Sequence, residues 1–197
     1  MEKLNSKDCY CEIEQKSEYI WDYCQSIISH QNIEKVKWPE YCSWDCINIP
    51  IEKLHQEPIL KKINEKYKIK LIGILRTRPY SNYIWHKDLT RGLTINMLLS
   101  LDHNSHCLFS QEETNDRSKI YSSGGMELAS DNIVYFNELK YKPKTFYLFN
   151  TQQLHTQYNF EKMRYLFTVE FLEDKNSLSY EDIFSWLQSE NMLVLND

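Results

Sequence analysis

Residues 145–172 read TFYLFNTQQLHTQYNFEKMRYLFTVEFL, and this stretch carries the clearest strand signals in the chain. Three runs stand out in it, at Thr145–Phe149, Leu154–Tyr158 and Arg164–Leu172. Each run has the length of a strand and contains aromatic or β-branched residues, and polar residues separate the runs. The stretch therefore predicts three successive short strands.

Further short runs extend this pattern towards the N-terminus. They are Lys68–Thr77, Tyr83–Lys87, Leu93–Ser100, His106–Ser110 and Ile133–Phe136. The first of these is rich in Ile and Leu and ends shortly before Pro79, a residue that cannot donate a ladder hydrogen bond. Short strands with turn-rich gaps predict an antiparallel sandwich or barrel rather than a parallel sheet.

Helical patterns precede the predicted strands. Apolar residues recur at intervals of three and four from Ser17 to Gln31, which predicts a helix with one buried face. A second helix is predicted over Pro58–Tyr67, with proline at its start. Cys46–Ile49 is a short predicted strand between them, so we expect residues 1–67 to be largely helical.

The region after the strands is again helical. A helix is predicted over residues 179–189, with Ser179 as N-cap and Asp182 three residues further on. Within the strand region, Gln111–Asp131 is polar and weakly periodic and predicts a long loop. Such a loop either closes over a site or is an ordinary surface insertion.

Length and charge limit the classes of function. A chain of 197 residues predicts a single domain over 1–197, with a helical part (1–67), a β core (68–172) and a C-terminal helix (179–189). The 23 Lys and Arg and 28 Asp and Glu are interspersed and give a net charge of −5, which makes nucleic acid an unlikely electrostatic partner. Met1–Tyr10 has no apolar core and no later stretch could span a bilayer, so we expect a cytoplasmic protein without a membrane partner.

Cysteine usage agrees with an intracellular location. The six cysteines are expected to be free thiols, because a chain of this length needs no disulfides to fold. Two close pairs, Cys9 with Cys11 and Cys42 with Cys46, could in principle bind zinc. Neither pair has the usual two-residue spacing, and ordinary buried thiols are favoured.

The tetrapeptide Trp85-His-Lys-Asp88 contains a candidate metal-binding pair. His86 and Asp88 are two residues apart, so on a strand their side chains leave the same face and can bind one ion. A surface pair at the end of a strand is the alternative interpretation. The pair therefore gains weight only if a further ligand is found elsewhere in the chain.

A second group of polar residues follows the run Phe146-Tyr-Leu-Phe-Asn150. It contains His155, Asn159 and Arg164. If the strands around His155 and Arg164 form a hairpin, the two residues face each other with Cβ atoms about 5 Å apart. The Arg164 guanidinium could then bind the far carboxylate of a small acid whose near end binds a metal at His155.

These residues resemble the iron(II)- and 2-oxoglutarate-dependent oxygenases of the double-stranded β-helix (jelly-roll, cupin-like) fold. The resemblance lies in His-x-Asp at His86 and Asp88, the distal His155, and Arg164 nine residues beyond it. It is strongest towards the aspartyl/asparaginyl hydroxylase-like and prolyl-hydroxylase-like branches, and it extends over Lys68–Leu172. The resemblance implies a mainly β double-stranded β-helix with flanking helices.

The resemblance also implies roles for individual residues. His86, Asp88 and His155 would bind Fe(II) as a two-histidine, one-carboxylate triad that leaves positions on the iron open. Arg164 would bind the far carboxylate of 2-oxoglutarate, and Thr168, on the same strand face, would assist it. The implied reaction is hydroxylation of a small-molecule or peptide substrate by O2, with oxidative decarboxylation of 2-oxoglutarate to succinate.

Other polar residues in the predicted β core allow two interpretations each. Asn96 lies in an otherwise apolar strand, and we expect it either to point into the cavity and bind the co-substrate or to lie on a solvated face. Arg76 and Arg78 could bind an anionic substrate or be solvated charges at a strand edge. His103 and His106 flank a turn and are more typical of surface residues than of a second metal site.

Two other functions remain open on the sequence. One is a cupin-type protein that uses another metal for isomerisation or simple binding, although such proteins usually present more histidines together with a glutamate. The other is a non-catalytic jelly-roll binding module whose triad is coincidental. The arrangement of one aspartate, two histidines and a distal arginine favours the dioxygenase.

Overall fold

A computed structural model describes residues 4–29, 40–41, 44–83, 85–100, 104–112, 126–129 and 133–194. The helices are α1 (Ser6–Cys9), α2 (Tyr19–Ser29), α3 (Pro58–Lys66) and α4 (Tyr180–Ser189), with a 3₁₀ helix at Ile51–Gln56. The strands are β1 (Tyr10–Lys16), β2 (Glu40–Tyr41), β3 (Trp44–Ile49), β4 (Ile69–Thr77), β5 (Ser81–Asn82), β6 (His86–Asp88), β7 (Leu93–Leu98), β8 (His106–Glu112), β9 (Met126–Ala129), β10 (Ile133–Leu139), β11 (Thr145–Asn150), β12 (Leu154–Asn159), β13 (Arg164–Phe171) and β14 (Leu193–Val194). None of the helices described is both long enough and apolar enough to cross a membrane.

The strands form two antiparallel sheets. The large sheet has eight strands in the order β14-β1-β11-β7-β13-β4-β3-β2. The small sheet has the order β10-β8-β12-β6-β9, and β5 pairs with β12 beside this row. The mainly β jelly-roll architecture with flanking helices, predicted from the sequence, is confirmed.

The main core lies between the large sheet and the helices. Strand β7 shows how the alternation of a strand divides its side chains: Leu93, Ile95 and Met97 belong to this core, whereas Thr94 and Asn96 point the other way. Helices α2, α3 and α4 supply the opposite side of the core. The other face of the large sheet is thereby left to face the small sheet.

A smaller apolar cluster closes part of the space between the two sheets. Its buried members are Cys9, Cys107, Phe109, Leu139, Tyr147 and Phe149. The rings of Phe109 and Phe149 are in contact, with centroids 4.7 Å apart. Beyond this cluster the two sheets enclose a cavity.

The expectation that residues 1–67 are largely helical was wrong in part. Strand β1 (Tyr10–Lys16) pairs with β11 and β14, and β3 extends the large sheet beside β4. Strand β1 alternates buried Cys11 and Ile13 with more exposed glutamates. This alternation is the signal for a strand, but only two apolar residues carry it, and the flanking helix patterns are stronger.

The predicted long loop also contains regular structure. Strand β8 continues to Glu112 and β9 occupies Met126–Ala129, both inside Gln111–Asp131. The remainder of that segment lies outside the described residues. The C-terminal helix forms as predicted, because Ser179 accepts a hydrogen bond from the Asp182 amide and the Asp182 carboxylate accepts one from the Ser179 amide.

Candidate metal centre

Two neighbouring strands of the small sheet bring the metal-binding candidates together. His86 and Asp88 lie on β6, two residues apart and therefore on one face. His155 lies on β12, where it is the direct cross-strand partner of His86. The register of this one strand pair thus places three side chains from distant parts of the sequence on the same face.

The three side chains are close enough to share one ion. Asp88 Oδ1 lies 3.7 Å from His86 Nε2 and 3.9 Å from His155 Nε2. The two imidazole centroids are 4.3 Å apart, and one ligand atom from each residue lies within 4.8 Å of the others. No other group of three such residues occurs in the part of the chain that the structure describes.

The environment of His155 fixes its protonation. Its Nδ1 lies 2.9 Å from the Gln153 carbonyl oxygen, which can only accept, so Nδ1 carries the hydrogen and Nε2 keeps its lone pair. Burial, followed by the neighbouring His86, lowers the pKa of His155 to about 3. A neutral imidazole with a backbone partner on its second nitrogen is the usual state of a metal-bound histidine.

The Asp88 carboxylate is fixed by Arg91. Oδ2 accepts a hydrogen bond from Arg91 Nε at 2.8 Å, and Arg91 Nη2 forms an ion pair with the same oxygen at 2.7 Å. Oδ1, on the other side, is the oxygen that faces the two histidines. Two imidazoles and one carboxylate oxygen form a donor set that suits non-haem iron(II), so these residues fit such a metal.

The candidate metal site opens into a cavity between the two sheets. The cavity has a volume of about 240 Å³ and includes His86, Asp88 and His155 in its wall. Residues of the large sheet line the opposite wall, namely Leu75, Thr77, Thr94, Asn96, Phe149, Arg164, Leu166, Thr168 and Glu170. Asn96, Arg164 and Thr168 therefore line the same cavity as the triad, and their binding of a co-substrate stays a prediction.

The predicted hairpin between His155 and Arg164 was wrong. His155 lies on β12, which has β8 on one side and β6 on the other. Arg164 begins β13 in the other sheet, where it pairs with Thr77. Because each strand already has two neighbours, the two cannot pair with each other, and the intervening residues cross between the sheets. Asn159 Nδ2 closes this crossing by donating to the Lys162 carbonyl at 2.9 Å.

Arg164 is buried in an unusual setting. Arg164 is 3% exposed, and its guanidinium carbon lies 5.7 Å from the centroid of the Tyr141 ring. No described carboxylate forms an ion pair with it. Burial raises the pKa of Tyr141 despite the opposing effect of the Arg164 charge. The phenol is therefore neutral and can donate a hydrogen bond.

Two buried polar atoms near the cavity have no partner among the described residues. They are the Tyr141 hydroxyl and Nε2 of Gln157, whose residue lines the cavity. Sequence reasoning missed both, as it missed Arg91. Arg91 had a detectable signal, since an arginine three residues after an aspartate can reach back to it.

The hydroxyl groups of the large sheet form a small network. Thr94 Oγ1 donates to the Val169 carbonyl at 2.7 Å, so the Thr168 hydroxyl, 3.0 Å away, donates to Thr94. Thr94 Oγ1 also lies 3.3 Å from Asn96 Oδ1. Thr168 is thus held by its own sheet through Thr94.

The remaining candidates lie away from this cavity. Arg76 and Arg78 do not line it, although their neighbour Thr77 does. His106 pairs with Glu138 at the surface, at 2.7 Å, and His103 lies outside the described residues.

The cysteine pairs show no sign of a zinc site in the described region. Cys9 and Cys11 are buried free thiols, and burial raises the pKa of Cys9 to about 12. A zinc ligand must be a thiolate, so this thiol is poorly suited to that role. Cys46 is also a free thiol, and Cys42 lies outside the described residues.

Comparison with known proteins gives matches at the level of structure. No family model matches the chain, and no curated protein sequence matches it significantly. A prolyl-4-hydroxylase from Pseudomonas putida aligns with a TM-score of 0.53 and 9% identity, over 83% of this chain and 92% of that one. The epimerase SnoN, solved with Fe3+, alpha-ketoglutarate and nogalamycin RO, aligns with a TM-score of 0.58 and 8% identity, over 85% and 80%.

A third match has the same character. HygX from Streptomyces hygroscopicus, solved with nickel, 2-oxoglutarate and hygromycin B, aligns with a TM-score of 0.56 and 9% identity, over 83% of this chain and 82% of that one. Identities this low are evidence about the fold and leave the reaction to be argued from the site. The chain has the jelly-roll fold of the 2-oxoglutarate-dependent oxygenases.

Proposed function

We propose that the protein is an Fe(II)- and 2-oxoglutarate-dependent dioxygenase that hydroxylates its substrate and converts 2-oxoglutarate to succinate. One observation carries the proposal: the triad of His86, Asp88 and His155 and the unpaired, buried Arg164 lie on facing walls of one cavity. One wall is suited to a metal and the other to an anion. A small keto acid with a second carboxylate is a ligand that could occupy both.

The case for an anion rests on the physics of burial. Arginine stays charged at any physiological pH, and a buried charge is costly unless a counter-charge or hydrogen bonds compensate it. The Tyr141 ring offers Arg164 only a partial compensation. A ligand carboxylate would supply the missing partner and accept a forked pair of hydrogen bonds.

Two further donors support a carboxylate at this end. The Tyr141 hydroxyl and Gln157 Nε2 are buried without partners, and buried polar groups in native proteins are rarely left unpaired. Both can donate to carboxylate oxygens. We propose that they complete the site around Arg164, with Thr168 and Asn96 lining the wall towards the metal.

The case for iron rests on the donor set. Fe(II) bound there would supply the oxygen chemistry that couples decarboxylation of a keto acid to hydroxylation. His155 contributes a neutral Nε2, and Asp88 contributes one carboxylate oxygen because Arg91 occupies the other. Leu75, Leu166 and Phe149 line the cavity and limit the access of water to it.

The neighbouring structures support two substrate classes. A prolyl hydroxylase from Trichoplax adhaerens was solved with a peptide fragment of hypoxia-inducible factor. HygX was solved with hygromycin B. A small molecule or a peptide side chain is therefore the substrate class that we propose for this chain.

The test is an anaerobic titration of the protein with Fe(II) and 2-oxoglutarate, followed by exposure to O2. We expect the visible absorption of an iron–keto acid complex in the wild type, and succinate after O2 is admitted. His155→Ala should abolish both. His106→Ala is the matched control, because it removes an exposed histidine that does not line the cavity and should change neither.

Two outcomes would contradict the proposal. A folded wild type that binds Fe(II) but not 2-oxoglutarate would indicate a cupin-type protein that uses its metal differently. A folded wild type that binds no metal, even in excess, would indicate a non-catalytic jelly-roll binding module.

A further inference from the structure

Arg91 contacts the buried carboxylate of Asp88. Its Nε donates to Asp88 Oδ2 at 2.8 Å, and its Nη2 lies 2.7 Å from the same oxygen as an ion pair. The Arg91 side chain is 25% exposed, whereas that of Asp88 is 8% exposed. The fork of Arg91 thus reaches inward to a buried carboxylate that belongs to the candidate metal centre.

The contact determines which oxygen of Asp88 is available. With Oδ2 held by the Arg91 guanidinium, Oδ1 is turned towards His86 and His155. The carboxylate can then offer one oxygen to an ion and has little freedom to rotate and offer both. A carboxylate that binds through both oxygens would occupy an additional position on the metal.

The position of Arg91 is itself fixed by a turn of the chain. The Arg91 carbonyl accepts from Thr151 Oγ1 at 2.6 Å and from Gln152 Nε2 at 2.7 Å. Gln152 Nε2 also donates to the Asp88 carbonyl at 2.9 Å, and the Asp88 amide donates to the Thr151 carbonyl at 3.0 Å. Residues 151–152 therefore hold the arginine and the metal-binding aspartate in one arrangement.

We propose that Arg91 is a positioning residue of the metal centre, which restricts Asp88 to binding through one oxygen. This inference rests on the proposed function, because it requires that the triad binds a metal. It differs from an ordinary ion pair at i and i+3, which would affect folding stability and nothing else. Outer partners of metal ligands typically affect metal affinity by about 10- to 100-fold.

The test compares Arg91→Gln and Arg91→Lys with wild type. Co(II) binding is measured by calorimetry, and the visible absorption of the Co(II) complex reports its coordination. We expect Arg91→Gln to bind Co(II) about 10- to 100-fold more weakly, with an absorption intensity lowered by the additional ligand oxygen. Arg91→Lys should recover part of the affinity, because lysine keeps the charge but lacks the fork.

The controls separate positioning from folding. Arg78→Gln makes the same change of charge at an exposed arginine outside the cavity, and it should bind Co(II) like the wild type. Thermal unfolding of each metal-free variant reports its stability. If Arg91→Gln does not fold, Gln152→Met replaces it, because loss of the Gln152 amide should loosen Arg91 and weaken Co(II) binding in the same direction.

The outcomes distinguish this inference from the proposed function. Wild type that binds Co(II), together with a folded Arg91→Gln of equal affinity and an unchanged spectrum, would overturn the role of Arg91 alone. Gln152→Met that matches the wild type would do the same if it is the only folded variant. Wild type that binds no Co(II) would overturn the proposed function and this inference with it.

Discussion

Replacing Arg164 with methionine should have effects of opposite sign on ligand binding and on stability. The guanidinium is buried without a described carboxylate partner, so the ligand-free protein bears the cost of its desolvation. Methionine removes that cost and roughly fills the space. The far carboxylate of 2-oxoglutarate loses the counter-charge of Arg164, so binding of 2-oxoglutarate should weaken.

The magnitudes follow from the two environments. Removing one partner of a buried, hydrogen-bonded charge pair costs about 2–5 kcal/mol, so 2-oxoglutarate affinity should fall at least about 30-fold. Replacing buried charged groups by apolar ones changes stability by about 0 to +4 kcal/mol, less about 0.5–2 kcal/mol for the lost contact with the Tyr141 ring. The net change is therefore about −2 to +3.5 kcal/mol, with a midpoint near +1 kcal/mol. At about 2–4 °C per kcal/mol, the ligand-free Tm should rise by about 2–4 °C at that midpoint and fall by no more than about 8 °C.

Two measurements check this prediction. Calorimetry under anaerobic conditions gives the affinity of the metal-loaded protein for 2-oxoglutarate, and circular dichroism gives the Tm without ligand. Arg76→Met is the matched control, since Arg76 lies on the large sheet but does not line the cavity. A variant that melts well below the wild type and binds 2-oxoglutarate equally well would show that Arg164 is structural and refute the reasoning.

Three further predictions concern single residues. Burial lowers the pKa of His155 to about 3 in the folded protein, whereas the unfolded chain takes up the proton near the ordinary value of 6.5. The metal-free protein should therefore lose about 1 kcal/mol of stability per pH unit as pH falls from 6.5 towards about 3. Urea titrations should show that the free energy of unfolding depends less on pH in His155→Gln. Tyr141→Phe removes an unpartnered hydroxyl and should leave the Tm almost unchanged while weakening 2-oxoglutarate binding about 10-fold, as calorimetry would show. Gly92→Ala should lower stability by about 1–3 kcal/mol in denaturant unfolding, because the new Cβ would clash with the Leu178 carbonyl oxygen; an unchanged midpoint would contradict the close approach.

The strands of the β core were predictable because they alternate or are apolar throughout. Strand β7 shows this well, since Leu93, Ile95 and Met97 face the helices and the polar Asn96 faces the cavity. Strand β1 was missed because only Cys11 and Ile13 are apolar on its buried face. The glutamates beside them do not distinguish a strand from a helix. Its place in the large sheet depends on pairing with β11, a partner more than a hundred residues away.

The site was predictable where local geometry determines it. Residues two apart on one strand share a face whatever the rest of the fold does, and this rule placed His86 with Asp88. The register that brings His155 opposite His86 is a tertiary property, and the resemblance to a known family supplied it. Tyr141 and Gln157 had no such aid, since nothing in the sequence around them indicates that their polar atoms are buried without partners.

The placement of His155 and Arg164 on different sheets, rather than in one hairpin, affects the length of ligand that can reach both. Cross-strand neighbours would place the metal ligand and the arginine about 5 Å apart, too close for a five-carbon diacid bound to a metal at one end and to a guanidinium at the other. Facing sheets are separated by about 10 Å, which leaves room for such a chain between them. The placement of His155 and Arg164 on different sheets therefore fits 2-oxoglutarate better than the arrangement that the sequence predicted, because the spacing between the sheets sets the length of the ligand that both walls can hold.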